Sequence, residues 1–194
     1  ADRKSVVNNG IDFVAADSQT VSLVPNALQE FMAKRFTVVG VGRFSREKGF
    51  SLLIRAVADL VKEGHDLQLL LLGDGRLRDE LTGQIEELNI ADRVQMPGHV
   101  DNIPFILKQC QLFVMPSLTE GLPVALLEAM FYEIPIVASR VGGIPDTLLG
   151  GRAGILMEPG DIDELKKALS CVFRDPERMT ERVALAKERV KNKF

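Results

Sequence analysis

Two carboxylates carry the most informative chemistry of this 194-residue chain. Glu120 and Glu128 lie in Phe113-Val-Met-Pro-Ser-Leu-Thr-Glu-Gly-Leu-Pro-Val-Ala-Leu-Leu-Glu-Ala-Met130. An apolar run ends at Pro116, a polar loop follows, and a helix is expected to begin near Pro123 or Val124. Glu120 then sits in the loop before the helix, where Gly121 permits close backbone approach. Glu128 falls about one turn inside, among Ala125, Leu126, Leu127, Ala129 and Met130, company in which a carboxylate usually has a partner. Free N–H groups near Gly121, Leu122 and Val124 suit phosphate oxygens. Glu120 suits a sugar hydroxyl and Glu128 a ribose diol. The plainer alternative leaves Glu120 in solvent and Glu128 on a helix surface.

A second constellation follows an apolar run at Phe36 to Gly42. Gly40-Val-Gly42 lacks the third glycine of a dinucleotide fingerprint, since position 45 is Ser45, and no Walker A lysine follows. What remains is Gly42-Arg43-Phe44 with Glu47-Lys48-Gly49 at the mouth of an expected helix. A helix dipole disfavours cations at its N-terminus unless an anion joins them. Arg43, Lys48 and open backbone N–H groups would clamp a pyrophosphate; otherwise both cations point into water. Gly73-Asp74-Gly75 reads as a tight turn, with Asp74 near the start of the next helix. Asp161-Ile-Asp163 has the look of a metal-binding pair, but an N-cap with an acidic first turn accounts for it, and no metal is expected there.

These residues need a scaffold that brings distant loops together. From Arg35 onward, short apolar runs alternate with helical patterns. Strands are expected at Phe36 to Gly42, Leu67 to Leu72, Val94 to Met96, Leu112 to Met115, Ile136 to Ala138 and Gly154 to Met157. Helices are expected near 47–63, 76–89, 102–109, 124–132 and 145–149. Continuous apolar strands joined by helices predict an α/β, Rossmann-like parallel sheet of about six strands flanked by helices. Such sheets bind ligands beyond the carboxyl ends of their strands. Asn9-Gly10 signals a turn, residues 16–26 a loop and Ala27 to Lys34 a short helix. Asp175-Pro176 separates a domain over 1–174 from a terminal helix over 175–194. That helix has a thin apolar stripe (Met179, Val183, Ala186, Val190), read either as the edge of a solvated helix or as a face for a missing partner domain.

Composition excludes several classes. With 46% apolar and 26% charged residues the chain is of ordinary globular type. The formal charge of -3 gives no basic face for nucleic acid. No apolar run approaches the ~20 residues that span a bilayer, and the first residues lead into no signal-peptide core. Cys110 and Cys171 have no metal-site spacing and read as two buried thiols in a reducing, cytoplasmic compartment.

The chain resembles the retaining glycosyltransferases of family 4, which have the GT-B fold. The resemblance rests on Glu120-x7-Glu128 within Pro-Ser-Leu-Thr-Glu-Gly-Leu-Pro, on Val41-Gly-Arg-Phe44 with Glu47-Lys-Gly49, and on Leu72-Gly-Asp-Gly75. Val7-Asn-Asn-Gly-Ile-Asp12, Val141-Gly-Gly-Ile-Pro-Asp146, and Gly154-Ile155 with Pro159-Gly-Asp161 follow in register. It implies the donor-binding half of a hexosyltransferase that uses a nucleotide diphosphate sugar, a UDP-sugar being the expected donor. Arg43 and Lys48 would hold the diphosphate, Glu128 the ribose and Glu120 the sugar hydroxyls. Backbone groups of Gly121, Leu122 and Val124 would lie near sugar and phosphate, and His99 and Val100 by the base. No metal or cofactor is implied. The acceptor-binding N-terminal domain would be absent, leaving this half inactive alone, and any membrane contact would be made through that missing half. Two positions depart from the family pattern: Glu133 stands where Gly is usual, and Asp146 where Glu is usual. A GT-B sugar-nucleotide epimerase or a non-catalytic nucleotide-binding module are the alternatives. A glycosidase is disfavoured, because no acid and nucleophile face one another.

Overall fold

The computed structural model describes residues 24–194; the Val7 to Asp12 segment, the Asn9-Gly10 turn and most of the 16–26 loop lie outside them. The order is α1 (Asn26–Lys34), β1 (Phe36–Val41), α2 (Phe50–Lys62), β2 (Leu67–Leu72), α3 (Arg78–Glu87), β3 (Val94–Gly98), α4 (Ile103–Gln109) and β4 (Leu112–Met115). There follow α5 (Val124–Phe131), β5 (Ile136–Ser139), α6 (Ile144–Thr147), β6 (Ile155–Met157), α7 (Ile162–Arg174) and α8 (Thr180–Lys193).

All strand pairs are parallel and the sheet order is β3-β2-β1-β4-β5-β6. The apolar runs of β1, β2, β4 and β5 are needed because both faces are covered. Along β1, Val38 belongs to the core cluster that holds Phe50, Leu53, Leu81 and Leu165 of α2, α3 and α7, while Val39 belongs to the one that holds Leu28, Ile106, Leu126 and Ala186 of α1, α4, α5 and α8. Every residue of β2 is buried, and each such leucine contributes about 1.5–3 kcal/mol of apolar burial. β3 is an edge strand, which is why it alternates in burial and tolerates Pro97.

Three local expectations change. The helix expected over 47–63 is broken: Arg46–Lys48 form a short turn, Gly49 takes a left-handed φ of 67°, and α2 starts at Phe50. Cys110 is buried, and burial pushes its thiol up to about 12. Cys171, however, is exposed, because α7 turns Leu165, Ala168, Leu169 and Val172 inward. The apolar stripe of α8 is covered by the domain itself. Ala186 and Val190 are buried in the core cluster that holds α5, and Met179 in the opposite one. Ion pairs flank that contact: Lys187 with Glu133, and Lys193 with Asp146 at 2.7 Å. Both positions that depart from the family pattern are thus tied to α8. Among the described residues no helix is long and apolar enough to cross a membrane.

Candidate functional site

The strand order reverses between β1 and β4, so the loops that leave these neighbours diverge and open a crevice at their carboxyl ends. Both constellations found in the sequence lie there. The two loops are stitched together: Leu118 N–H donates to the Glu47 carbonyl at 2.7 Å. Gly49 packs on Pro116 so closely that an added Cβ would overlap the Pro116 carbonyl oxygen. The loop after β5 supports the same segment from the other side, with Gly143 N–H donating to the Gly121 carbonyl at 3.1 Å. The loop after β2 backs the loop after β1, where Phe44 N–H donates to the Asp74 carbonyl at 2.9 Å.

The resulting cleft holds about 570 Å³ and is lined by Arg43, Ser45, Lys48, Glu120, Gly121 and Val124, among others. Lys48 Nζ donates to Glu120 Oε1 at 2.5 Å, and Ser117 Oγ donates to the same oxygen at 2.7 Å. Arg43 is exposed, and its guanidinium forms no hydrogen bond or ion pair with a described residue. Among the described residues no acceptor meets the N–H groups of Gly121, Leu122, Val124 and Ala125; the first α5 bond is Leu126 N–H to the Pro123 carbonyl. α5 also has no side-chain N-cap. The cleft therefore combines a free guanidinium, an ammonium and an open helix N-terminus, the makings of an anion site.

A second cleft of about 400 Å³ adjoins the first across Val41, Gly42 and Arg43 and is lined by Leu72, Asp74, His99, Val100 and Ile103. Asp74 makes its own turn here instead of capping α3. Its Oδ1 accepts from Gly75 N–H at 2.7 Å and Arg78 Nε at 2.8 Å, bonds that hold its carboxyl below the ordinary range.

Five expected site residues, Arg43, Lys48, Glu120, Gly121 and Val124, thus line one cleft, and Val100 lines its neighbour with Arg43. Leu122 and Glu128 do not line either. The Leu122 side chain packs against the core. Glu128 lies one turn deeper on the stripe of α5 that presents Val124 and Ala125 to the cleft. It is half-buried, and the lack of solvent pushes its carboxyl above the ordinary range; no described residue offers it a partner. The open N–H groups of this cleft belong to the Gly121–Ala125 segment, while the first residues of α2, Phe50 and Ser51, line a separate apolar depression. Asp161 caps α7, its side chain accepting from Glu164 N–H at 2.9 Å. Among the described residues no three His, Cys, Asp or Glu side chains converge as metal ligands. Ser117 was not singled out from sequence; its place three residues before Glu120 was the available signal.

The fold is a Rossmann-like α/β domain, with a cleft lined by Arg43 and Lys48 at its topological switch point. The profile of the glycosyl transferases group 1 matches residues 28–189, and the chain belongs to that family. It is 31% identical over 184 residues to the 2-deoxystreptamine glucosyltransferase of Streptomyces kanamyceticus, covering 84% of this chain and 48% of that protein. The α-D-kanosaminyltransferase of the same organism is 35% identical over 149 residues, 76% of this chain and 38% of that protein. The crystal structure of Anabaena HepE in complex with UDP superposes with a TM-score of 0.83 at 26% identity, over 98% of this chain and 53% of that one. The HepE complex with UDP-glucose gives 0.82 at 25% identity, with the same coverage. The chain spans about half or less of the length of these proteins. Its sheet is one Rossmann-like half of the GT-B fold.

Proposed function

We propose that the chain is the donor-binding half of a retaining glycosyltransferase that takes a sugar from a UDP-sugar and passes it to an acceptor held by an N-terminal domain. The observation that carries this reading is the joining, in one cleft, of Arg43, Lys48 and the open N-terminus of α5 with the carboxylate of Glu120. A plain phosphate site has no use for that carboxylate. The UDP and UDP-glucose complexes of a 25–26% identical fold support the choice of nucleotide.

In this reading the diphosphate lies over the N-terminus of α5 between Arg43 and Lys48. The departing nucleoside diphosphate gains charge, and a guanidinium, an ammonium and a fixed helix dipole stabilise it where that charge develops. Glu120 accepts hydroxyl protons of the donor sugar. Glu128, a carboxylate without a partner among the described residues, accepts from the ribose. The base enters the cleft beside His99 and Val100. These residues do this work without a metal ion. The acceptor side of the cleft would come from the other domain, so this half alone is expected to be inactive. The enzyme is expected in the cytoplasm, with any membrane contact made through that other domain.

The test is transfer from UDP-glucose by this chain joined to its N-terminal domain, with the anomeric configuration of the product read by NMR. Retention, abolished by Glu120→Ala, is expected. Inversion, or full activity in that variant, would contradict the reading.

A further inference from the structure

We propose that the Lys48–Glu120 pair couples diphosphate recognition to sugar recognition, and that Ser117 is the positioning residue that keeps Glu120 in place when the pair opens; this rests on the donor reading above. Lys48 and Glu120 are assigned to different parts of the ligand, yet here they are bound to each other at 2.5 Å across 72 positions of sequence. Their burial is unequal: the Glu120 side chain is 9% exposed and that of Lys48 24%. Ser117 is buried and donates to the same oxygen, Oε1, that accepts from Lys48. No described residue donates to Oε2.

A nucleoside diphosphate that draws the ammonium away leaves a nearly buried carboxylate without its cation, which is unfavourable. Nucleotide alone therefore binds more weakly than its clamp permits. A sugar on the diphosphate reverses this, because its hydroxyls donate to the carboxylate that Lys48 has left. Ser117 makes that exchange possible. Its short, buried side chain does not follow the phosphate, so Oε1 stays held and Oε2 remains available to a hydroxyl. Only the head of Lys48 need move: its aliphatic stem lies across Gly42, with Cε at 3.3 Å from where a Gly42 Cβ would stand, and its ammonium end lines the cleft. The cleft consequently prefers the intact nucleotide sugar over the nucleoside diphosphate left after transfer, which favours product release.

Calorimetric titration of the chain with UDP and with UDP-glucose tests the coupling, on the unmodified protein, Glu120→Gln and Ser117→Ala. Glu120→Gln is expected to bind UDP about fivefold more tightly, since Lys48 is released, while the gain from the glucose unit falls below about twofold. Ser117→Ala is expected to keep UDP affinity within about twofold and to lower the glucose gain about fivefold. A merely structural role for Ser117 would weaken both ligands alike. Should Ser117→Ala fail to fold, Glu120→Gln decides alone. UDP binding that is unchanged or weaker in Glu120→Gln, or no gain from glucose in the unmodified chain, overturns the coupling and leaves the donor site standing. Absence of binding to either ligand by every form contradicts the donor site and the coupling with it.

Discussion

Gly142 packs against Glu120 with no room for a side chain: a Cβ at Gly142 would overlap the Glu120 carbonyl oxygen, and the residue holds a φ of 52°. The loop after β5 thus serves as a template for the loop that carries the carboxylate. Gly142→Ala is expected to cost about 1–3 kcal/mol of stability through strain and overlap and to weaken UDP-glucose binding by displacing Glu120. Gly83 provides the contrast. It lies inside α3 with open space around its would-be Cβ, so Gly83→Ala should stabilise by about 1 kcal/mol. Chemical denaturation of the two variants reads both signs.

Glu133 ends α5 in a left-handed turn, at φ 59°, where Ile134 N–H donates to the Ala129 carbonyl at 3.2 Å. Glycine adopts this conformation without cost. Glu133→Gly gives up an exposed pair with Lys187, worth less than about 1 kcal/mol. The net expectation is a gain of about 0.5–1 kcal/mol, measured by thermal unfolding. A loss would mean that the tie to α8 outweighs the backbone strain.

Burial raises the carboxyl of Glu128 above its ordinary range. Folding therefore favours its protonated form. That contribution is complete below the unfolded value, about 4.3, and is lost as pH rises through the folded value. At neutral pH the ionised group opposes folding. Glu128→Gln should be more stable than the parent near pH 7, by less than about 1 kcal/mol. The difference should close on acidification to about pH 4, and UDP affinity should fall. Paired stability and binding curves against pH check both parts.

The two thiols should separate cleanly. Cys171 is exposed, while Cys110 is buried and held as the thiol up to about 12. A thiolate-specific reagent at neutral pH should label one cysteine in the folded chain and both in denaturant. Two labelled in the native state would contradict the burial of Cys110.

Much of this was legible in the residues. The inner strands are largely apolar because both faces are buried, and the leucines of Leu67 to Leu72 mark β2 as one of them. Arg43, Lys48 and Glu120 each follow a strand of a parallel sheet, and that placement gathers them at one end. What escaped depends on partners distant in sequence. Gly49 breaks the expected helix because the loop after β4 presses on it at Pro116. Ser117 and Lys48 meet on one oxygen of Glu120, which no local pattern announces. The thin stripe of α8 is fully used, since small Ala186 and Val190 let the helix lie close on the domain. Glu133 and Asp146 gained their roles only when the pairs with Lys187 and Lys193 came into view.

The central claim is that the crevice between the β1 and β4 loops is a nucleoside diphosphate site. Calorimetric titration of the chain with UDP, GDP and ADP, repeated on Lys48→Ala and Glu128→Ala, tests it most directly. The account predicts selective binding of UDP, weakened about tenfold or more in each variant as a charge-assisted contact is lost. UDP affinity left unchanged by both substitutions would contradict it.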